Sequence, residues 1–435
     1  MGLGMRSSKP VRRSAPRPPP GPAPEAEVTI AEMGGEGDGL APGPIFASFT
    51  LPGERVRVAG TGERRKTVAI LEPSPERVEP PCPHFGLCGG CALQHWRTDA
   101  YLAWKRERLI GTLARQHIET EVLPIFASPP FSRRRVALHA RQGARGEARL
   151  GYKIRNSWDL VDIQVCPIAD PKITAALPAM RRLAAPLFEH PKSAPTLHVT
   201  ATDDGIDIDI TGVERKSGGL SADARMRLAE QAAAGGFARV SMDGEIAYMD
   251  QTAPSVRLGE VRVVLPPGAF LQAVPAAERA MVDFVAKAAA GAERIADLYC
   301  GVGTFTFALA QIAPVYAADG SAAAIAALNA AVATAPGLKG VTAEARDLVR
   351  RPLLIQEMKK IDLAVFDPPR AGAAEQAGEI AGSKVSRVIG VSCNPATFAR
   401  DARTLIDAGF TLDQVFPVDQ FLWSPHVELI GVFSR

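Results

Sequence analysis

Two kinds of hydrophobic periodicity run along this chain. From about Glu25 to Pro80 apolar and polar residues alternate, as in EVTIAEM, IFASFTLPGERVRVAG and KTVAILEPSPERVEP, with GGEGDG as a turn. A period of two broken by glycine-rich turns predicts short strands with one buried face, and a small β-barrel of the OB type fits. Residues 96 to about 125 change to a helical period. The segments VALHARQ, LGYKIRNSWDLVDIQVC and TLHVTATDDGIDIDITG then alternate again, and SADARMRLAEQAAAGGFARVSMDG reads as a helix followed by a strand. From about Pro266 strand and helix take turns. PAAERAMVDFVAKAAAG is an amphipathic helix, RIADLYCGVGTFTFALAQI is strand, glycine loop and helix, and VYAADGSAAAIAALNAAVATA repeats the unit. IDLAVFDPPRAGA, SRVIGVSCNP and VELIGVFSR supply further strands. That order predicts a doubly wound, Rossmann-like α/β domain. The expected organisation is multi-domain α/β: a tail over 1–24, an OB-like barrel over 25–80, a central α+β part over 81–265 and the α/β domain over 266–435.

Composition sharpens this division. The chain has 435 residues, 46% of them hydrophobic, which is ample for several cores. It has no run of eighteen apolar residues and no apolar stretch near its start, so neither a membrane span nor an export signal is expected, and a cytoplasmic monomer is. The net charge of +3 is too small to imply a polyanionic partner. Its distribution says more. Arg6, Lys9, Arg12, Arg13 and Arg17 lie among prolines with no acidic residue, the composition of a disordered basic tail that nucleic acid would attract. Lys105, Arg106 and Arg108 form a basic helical face. Arg133–Arg135, Lys153 and Arg155 lie in β-type segments with Tyr152 and Trp158 interleaved, a pattern suited to phosphate contacts and base stacking or, equally, to a solvated strand face.

Three features carry candidate chemistry. Cys82, Cys88 and Cys91 crowd into CPHFGLCGGC, and Cys166 follows in VDIQVCPIAD. Without an export signal this spacing favours a metal or cluster over disulfides, and it leaves zinc and iron–sulfur both open. His84 and His95 read as local packing or RNA contacts. The glycine loop of DLYCGVGT, between strand and helix, lets a cofactor approach the backbone, and Asp319 at the end of the next strand can accept the hydroxyls of a ribose. The third glycine of the dinucleotide fingerprint is missing, which counts against NAD and towards S-adenosylmethionine. Asp367-Pro368-Pro369-Arg370 closes another strand. Enzymes that methylate exocyclic amines usually end this loop in an aromatic residue, so amino methylation of RNA or DNA becomes the alternative reading. Cys393, in VIGVSCNP, stands where strand gives way to loop, at the edge where open α/β sheets bind their ligands.

With these motifs in order, together with Gln272 in FLQ, SCNPATFARD and the His426-Val427-Glu428 triplet, the chain resembles the RNA uracil-5-methyltransferase family, over nearly everything after the basic tail. The resemblance implies a class I methyltransferase domain, a TRAM-type barrel, and a [4Fe–4S] cluster on Cys82, Cys88, Cys91 and Cys166. It implies Cys393 as nucleophile, Glu428 as general base, and S-adenosylmethionine held by Gln272, Tyr299, Thr304, Asp319, Asp347 and Asp367. Tyr299 stands where phenylalanine is expected, and Thr304 and Asp347 where asparagines are common. Uracil C5 is too weak a nucleophile to take a methyl group unaided. Addition of a thiolate at C6 creates an enolate, and a base must later remove the C5 proton, so one cysteine and one carboxylate are the minimum. Family members with these cysteines more often act on 23S rRNA than on tRNA, so 23S rRNA is the expected substrate and tRNA the alternative.

Overall fold

The computed structural model describes residues 23–435 except 145, 156 and 217; the tail expected over 1–24 falls almost wholly outside them. The chain divides into two compact units, one running to Gly34 and including Asp38–Pro75, the other comprising Gly35–Gly37 and Glu76–Arg435.

The first unit is a single six-stranded sheet. Its spatial order is Glu25–Thr29, Arg55–Ala59, Arg64–Glu72, Ile45–Ser48, Asp38–Ala41, Glu32–Met33. The alternation seen in the sequence sets its two faces. In Arg55–Ala59 the valines Val56 and Val58 are fully buried with Ile30, Ile45 and Ala47, while Arg55 and Arg57 point outward to Glu27 and Glu72.

The second unit holds two larger sheets. One has seven strands, in the order Leu160–Asp162, Ala148–Lys153, Arg135–Gln142, Thr196–Thr202, Gly205–Thr211, Arg239–Met242, Glu245–Met249. The helices Pro171–Ala184 and Ala222–Ala234 bury Ile173, Leu177, Leu183 and Leu228 in the same core as Leu138, Leu150 and Val199 of its strands.

The other sheet has nine strands. Seven are numbered here in chain order: β1 Ile295–Leu298, β2 Val315–Asp319, β3 Val341–Ala345, β4 Leu363–Phe366, β5 Arg387–Ser392, β6 Thr411–Asp419 and β7 Glu428–Ser434. Their spatial order is β3-β2-β1-β4-β5-β7-β6, parallel from β3 to β5, with β7 antiparallel to both neighbours. The apolar run of β4, the apolar Val388–Val391 of β5 and the full burial of β1, Asp297 included, match strands covered on both faces. The chain order reverses between β1 and β4, the switch point at which such sheets open a ligand crevice.

The last two strands of this sheet come from well before residue 266. Glu121–Val122 and Phe126–Ala127 pair in parallel with β6, and the helix Thr98–Ala114 before them places Leu109 and Leu113 in the core formed by β4, β5 and β7. The hairpin Ser255–Leu258/Val261–Val264 likewise buries Val256, Val261 and Val263 in the core under the α/β sheet. These segments therefore belong by packing to the α/β layer, although the sequence pattern assigns them to the central part. Among the described residues no helix is long and apolar enough to cross a membrane.

Two glycines bring the core close behind the future site. Gly390 of β5 and Gly431 of β7 are register partners. A Cβ at Gly431 would sit 2.4 Å from Phe398 Cζ, and one at Gly390 3.0 Å from Phe366 Cζ. The helix Pro395–Asp407, which carries Phe398, can lie this close to β7 because Gly431 lacks a side chain, while Gly390 leaves room for the Phe366 ring of β4.

Candidate active site

One edge of the α/β sheet collects the residues expected as nucleophile, base and cofactor ligands. The parallel strands end there: β2 closes on Asp319, and Tyr299, Asp367, Cys393 and Gln420 immediately follow the last residues of β1, β4, β5 and β6. The antiparallel β7 begins there with Glu428. Ser392 pairs with Leu429, so the next residue on each strand, Cys393 and Glu428, meets the other at the same edge. A cleft of about 880 Å3 opens over this edge. Gln272, Tyr299, Thr304, Asp319, Asp347, Asp367, Cys393 and Glu428 all line it, together with Arg133, Arg135, Arg370 and Gln420.

Local structure fixes each group. Asn394 caps the helix after Cys393 by accepting the Ala396 N–H (3.1 Å) and donates its amide to the Arg370 carbonyl (3.1 Å), tying the cysteine turn to the Asp-Pro-Pro-Arg loop. Tyr299 adopts φ +60°, a left-handed conformation that costs a non-glycine residue energy and is concentrated at functional sites. Asp319 accepts the N–H of Gly301 (2.9 Å) with one oxygen and that of Ser321 (2.7 Å) with the other, so the carboxylate is aimed before any ligand arrives. Asp347 is exposed at the rim and accepts the N–H groups of Val349 and Arg350.

Beneath the cleft a chain of buried side chains joins the two ends. Gln272 Nε2 donates to Asp367 Oδ2 (2.9 Å). Gln420 Nε2 donates to Gln272 Oε1 (2.9 Å) and to Glu428 Oε2 (2.7 Å). Glu428 is only 3% exposed. Burial and, after it, the Asp367 charge push the Glu428 carboxyl above the usual carboxylate range, against the opposing hydrogen bond from Gln420. Asp367 is likewise raised by burial and lowered by Gln272. Burial first, then the charges of Glu428 and Asp367, push the Cys393 thiol up to about 11, while the Arg370 guanidinium acts the other way.

Several basic residues have a different place from the one their sequence pattern suggests. Lys105 is fully buried: its ammonium lies 2.5 Å from Asp419 Oδ1 and 3.2 Å from the Phe421 carbonyl, while the Tyr101 hydroxyl donates to Asp419 Oδ2 (2.7 Å). Arg134 is buried against Glu278 and donates to the Gln272 carbonyl (3.0 Å), and Arg135 donates to the Leu271 carbonyl (2.9 Å). Neither Lys105 nor Arg134 can touch RNA phosphate; both brace segments of the site. Tyr152 points at Cys166 Sγ (3.9 Å) rather than outward as a stacking platform. Trp158 does remain 77% exposed, with Lys153 Nζ 3.9 Å from its ring centre.

Cys82, Cys88, Cys91 and Cys166 surround a second, much smaller cavity, with Tyr152, Ile163, Pro167 and Ile168 as its apolar wall. None is in a disulfide. Among the described residues no group of three or more His, Cys, Asp or Glu is arranged to hold a metal ion. Burial and the neighbouring thiols nevertheless raise Cys88 to about 11 and Cys91 to about 12, against the Gly90 N–H and Gln94 contacts. The Gly90 N–H donates to Cys88 Sγ (3.4 Å).

A sheet of this order with its cleft at the switch point defines a class I methyltransferase fold. The chain is similar in structure to the Pyrococcus abyssi tRNA (uracil-54, C5)-methyltransferase solved with S-adenosyl-L-homocysteine, with a TM-score of 0.71, 24% identity, and coverage of 94% of this chain and 99% of that one. The family model described as tRNA (Uracil-5-)-methyltransferase matches residues 247–435. An RNA methyltransferase of Caulobacter vibrioides is 63% identical over 94% of this chain and 100% of its own length. A 23S rRNA (uracil(1939)-C(5))-methyltransferase of Chromohalobacter salexigens is 31% identical over 94% and 89%. The chain belongs to the RNA uracil-5-methyltransferase family.

Sequence reasoning missed Gln420. Its signal was a polar pair, Asp419-Gln420, closing the apolar strand β6 beside the strand that carries Glu428.

Proposed function

We propose that this chain methylates C5 of a uridine in RNA, 23S rRNA in preference to tRNA, with Cys393 as nucleophile and Glu428 as general base. The observation that carries the reading is the meeting of Cys393 and Glu428 at one edge of the cleft, across the β5–β7 register. S-adenosylmethionine supplies the transferable methyl group. Gln272, Tyr299, Thr304, Asp319, Asp347 and Asp367 all line the cleft that would receive it, and the oriented Asp319 carboxylate suits a ribose.

The chain's own groups act in sequence. The Cys393 thiolate, formed by loss of the thiol proton to solvent, bonds to uracil C6, and the C5–C6 π electrons move toward the C4 carbonyl to leave a nucleophilic C5. Once C5 carries the methyl group, Glu428 takes the C5 proton. The electrons of that C–H bond restore the C5–C6 double bond and expel the Cys393 thiolate. A base inside an RNA stack cannot reach Cys393, so the uridine must be extruded into the cleft. Arg133, Arg135 and Arg370 at the cleft supply positive charge for the flanking phosphates.

The four cysteines around one cavity, walled by apolar residues and with N–H and hydroxyl groups turned toward sulfur, suit a [4Fe–4S] cluster. Burial opposes free thiolates at Cys82, Cys88 and Cys91, and bound cationic iron would remove that cost. Its role would be to pin Cys166 to the 82–91 loop and so shape the RNA-binding surface. The six-stranded first unit fits a TRAM-type RNA-carrying barrel. Near full-length similarity to a 23S rRNA enzyme supports rRNA as the substrate. The test is incubation with labelled S-adenosylmethionine and either unmodified 23S rRNA or unmodified tRNA. Label recovered as 5-methyluridine from 23S rRNA is expected. Label confined to tRNA would overturn the substrate assignment, and label on an exocyclic amine the reaction.

A further inference from the structure

The hydrogen-bond chain beneath the cleft has a direction, and one backbone group sets it. Gln420 Oε1 accepts the N–H of Ala273 (3.0 Å). A backbone amide can only donate, so this contact fixes which end of the Gln420 amide is oxygen. Its Nε2 must then face the other way, and both of its hydrogens are used: one on Gln272 Oε1 (2.9 Å), one on Glu428 Oε2 (2.7 Å). Because Gln272 Oε1 accepts, Gln272 Nε2 donates onward to Asp367 Oδ2 (2.9 Å). One N–H of the 271–273 segment thus dictates that both carboxylates at the ends of the chain receive hydrogen bonds. That segment is itself held by Arg134 and Arg135 through the carbonyls of Gln272 and Leu271.

We infer that Gln420 is a positioning residue for the general base: it holds Glu428 by one oxygen, leaves the other free for the substrate, and favours the ionised form needed to take the C5 proton. Three side chains bear on the Glu428 carboxylate. Asp367 and the Cys393 sulfur, when charged, oppose its ionisation, and the Gln420 amide stabilises it. Arg370 reaches this group of charges through Cys393. Gln420 is 3% exposed and Gln272 2%, so water cannot readily replace either donor. The same chain runs to Asp367 and Gln272, which line the proposed cofactor site. The base is therefore wired to the cofactor side of the cleft rather than standing alone in its strand.

This inference rests on the uridine C5 reaction proposed above. The test substitutes Gln420→Met, which keeps length and volume but can neither donate nor accept here. A lost hydrogen bond to a charged group should move the acid limb of kcat upward by about one to two pH units. At neutral pH kcat should fall about tenfold or more, with KM for RNA and for S-adenosylmethionine near wild type. Since C6 addition precedes proton removal, the covalent enzyme–RNA species should accumulate in Gln420→Met during turnover. If Gln420→Met does not fold, Gln420→Glu keeps the shape, sets an acceptor against Glu428, and should shift the same limb in the same direction. An unshifted limb with no accumulation of adduct, or a change in KM alone, overturns the positioning role. Absence of any adduct in the wild-type protein overturns instead the reaction on which it rests.

Discussion

Lys105→Met tests the bracing of the site most severely. The wild-type ammonium and the Asp419 carboxylate are both fully buried, 2.5 Å apart. Burial pushes Lys105 down to about 8 while Asp419 pulls it back up, so the cost of removing the charge from water exceeds what the pair returns. Methionine fills the volume but takes the ammonium from Asp419, whose remaining side-chain donor among the described residues is the Tyr101 hydroxyl. Stranding a buried charge in this way costs about 3–5 kcal/mol. At roughly 2 °C per kcal/mol for a large domain, Tm should fall by about 6–10 °C. Adding Asp419→Asn removes the stranded charge and keeps an acceptor for Tyr101, so the double variant should recover at least half of the loss. Thermal and urea unfolding of the two single variants and the double variant give the coupling directly. A loss below about 1 kcal/mol in Lys105→Met, the size expected of an exposed pair, would refute the reasoning, as would a double variant no better than the single. Asp419 precedes Gln420, so activity should fall further than stability alone explains.

Other expectations follow from the same geometry. Glu428→Gln keeps its contact with Gln420 but cannot take a proton. Turnover should drop by about 10²–10⁴ while the adduct persists in rapid-quench assays. The Glu428 carboxyl is raised in the folded state, so the fold binds this proton more tightly than the unfolded chain does. Stability from this group is present at low pH and is lost as pH rises through the raised value. Glu428→Gln should therefore gain Tm over wild type at about pH 9 and not at about pH 4. Gly431→Ala drives a methyl group into Phe398 and should destabilise by about 1–3 kcal/mol, read from urea unfolding. Anaerobically purified protein should contain iron and sulfide in equal amounts, and Cys88→Ser should lose both; stoichiometric zinc would contradict the cluster.

Much of the site was legible because its residues sit at strand ends, and strand ends can be read from apolar runs. β2 closes on Asp319, β1, β4 and β5 close one residue before Tyr299, Asp367 and Cys393, and Glu428 opens β7. Lys105 and Arg134 were not legible as bracing residues. Their sequence neighbourhoods are basic, and the carboxylates that claim them, Asp419 and Glu278, lie hundreds of residues away in the first case and over a hundred in the second. The same distance hid the attachment of residues 98–127 to the α/β sheet. Two-residue strands carry no periodicity, and their partner β6 is far along the chain. Gln420 was hidden for a subtler reason. Its importance lies in which atom faces which, and that direction is imposed by the Ala273 N–H, a backbone group that no residue type reports.

The central claim is that Cys393 forms a covalent bond to uracil C6, and RNA carrying 5-fluorouridine tests it most directly. Fluorine at C5 cannot leave as a proton, so Glu428 has nothing to remove and the adduct is trapped after methyl transfer. Wild-type protein with S-adenosylmethionine and substrate RNA should give a denaturation-resistant protein–RNA complex, with the crosslink at Cys393, and Cys393→Ala should give none. A wild-type protein that makes 5-methyluridine in unmodified RNA yet forms no such complex, or a complex that survives in Cys393→Ala, would contradict the account.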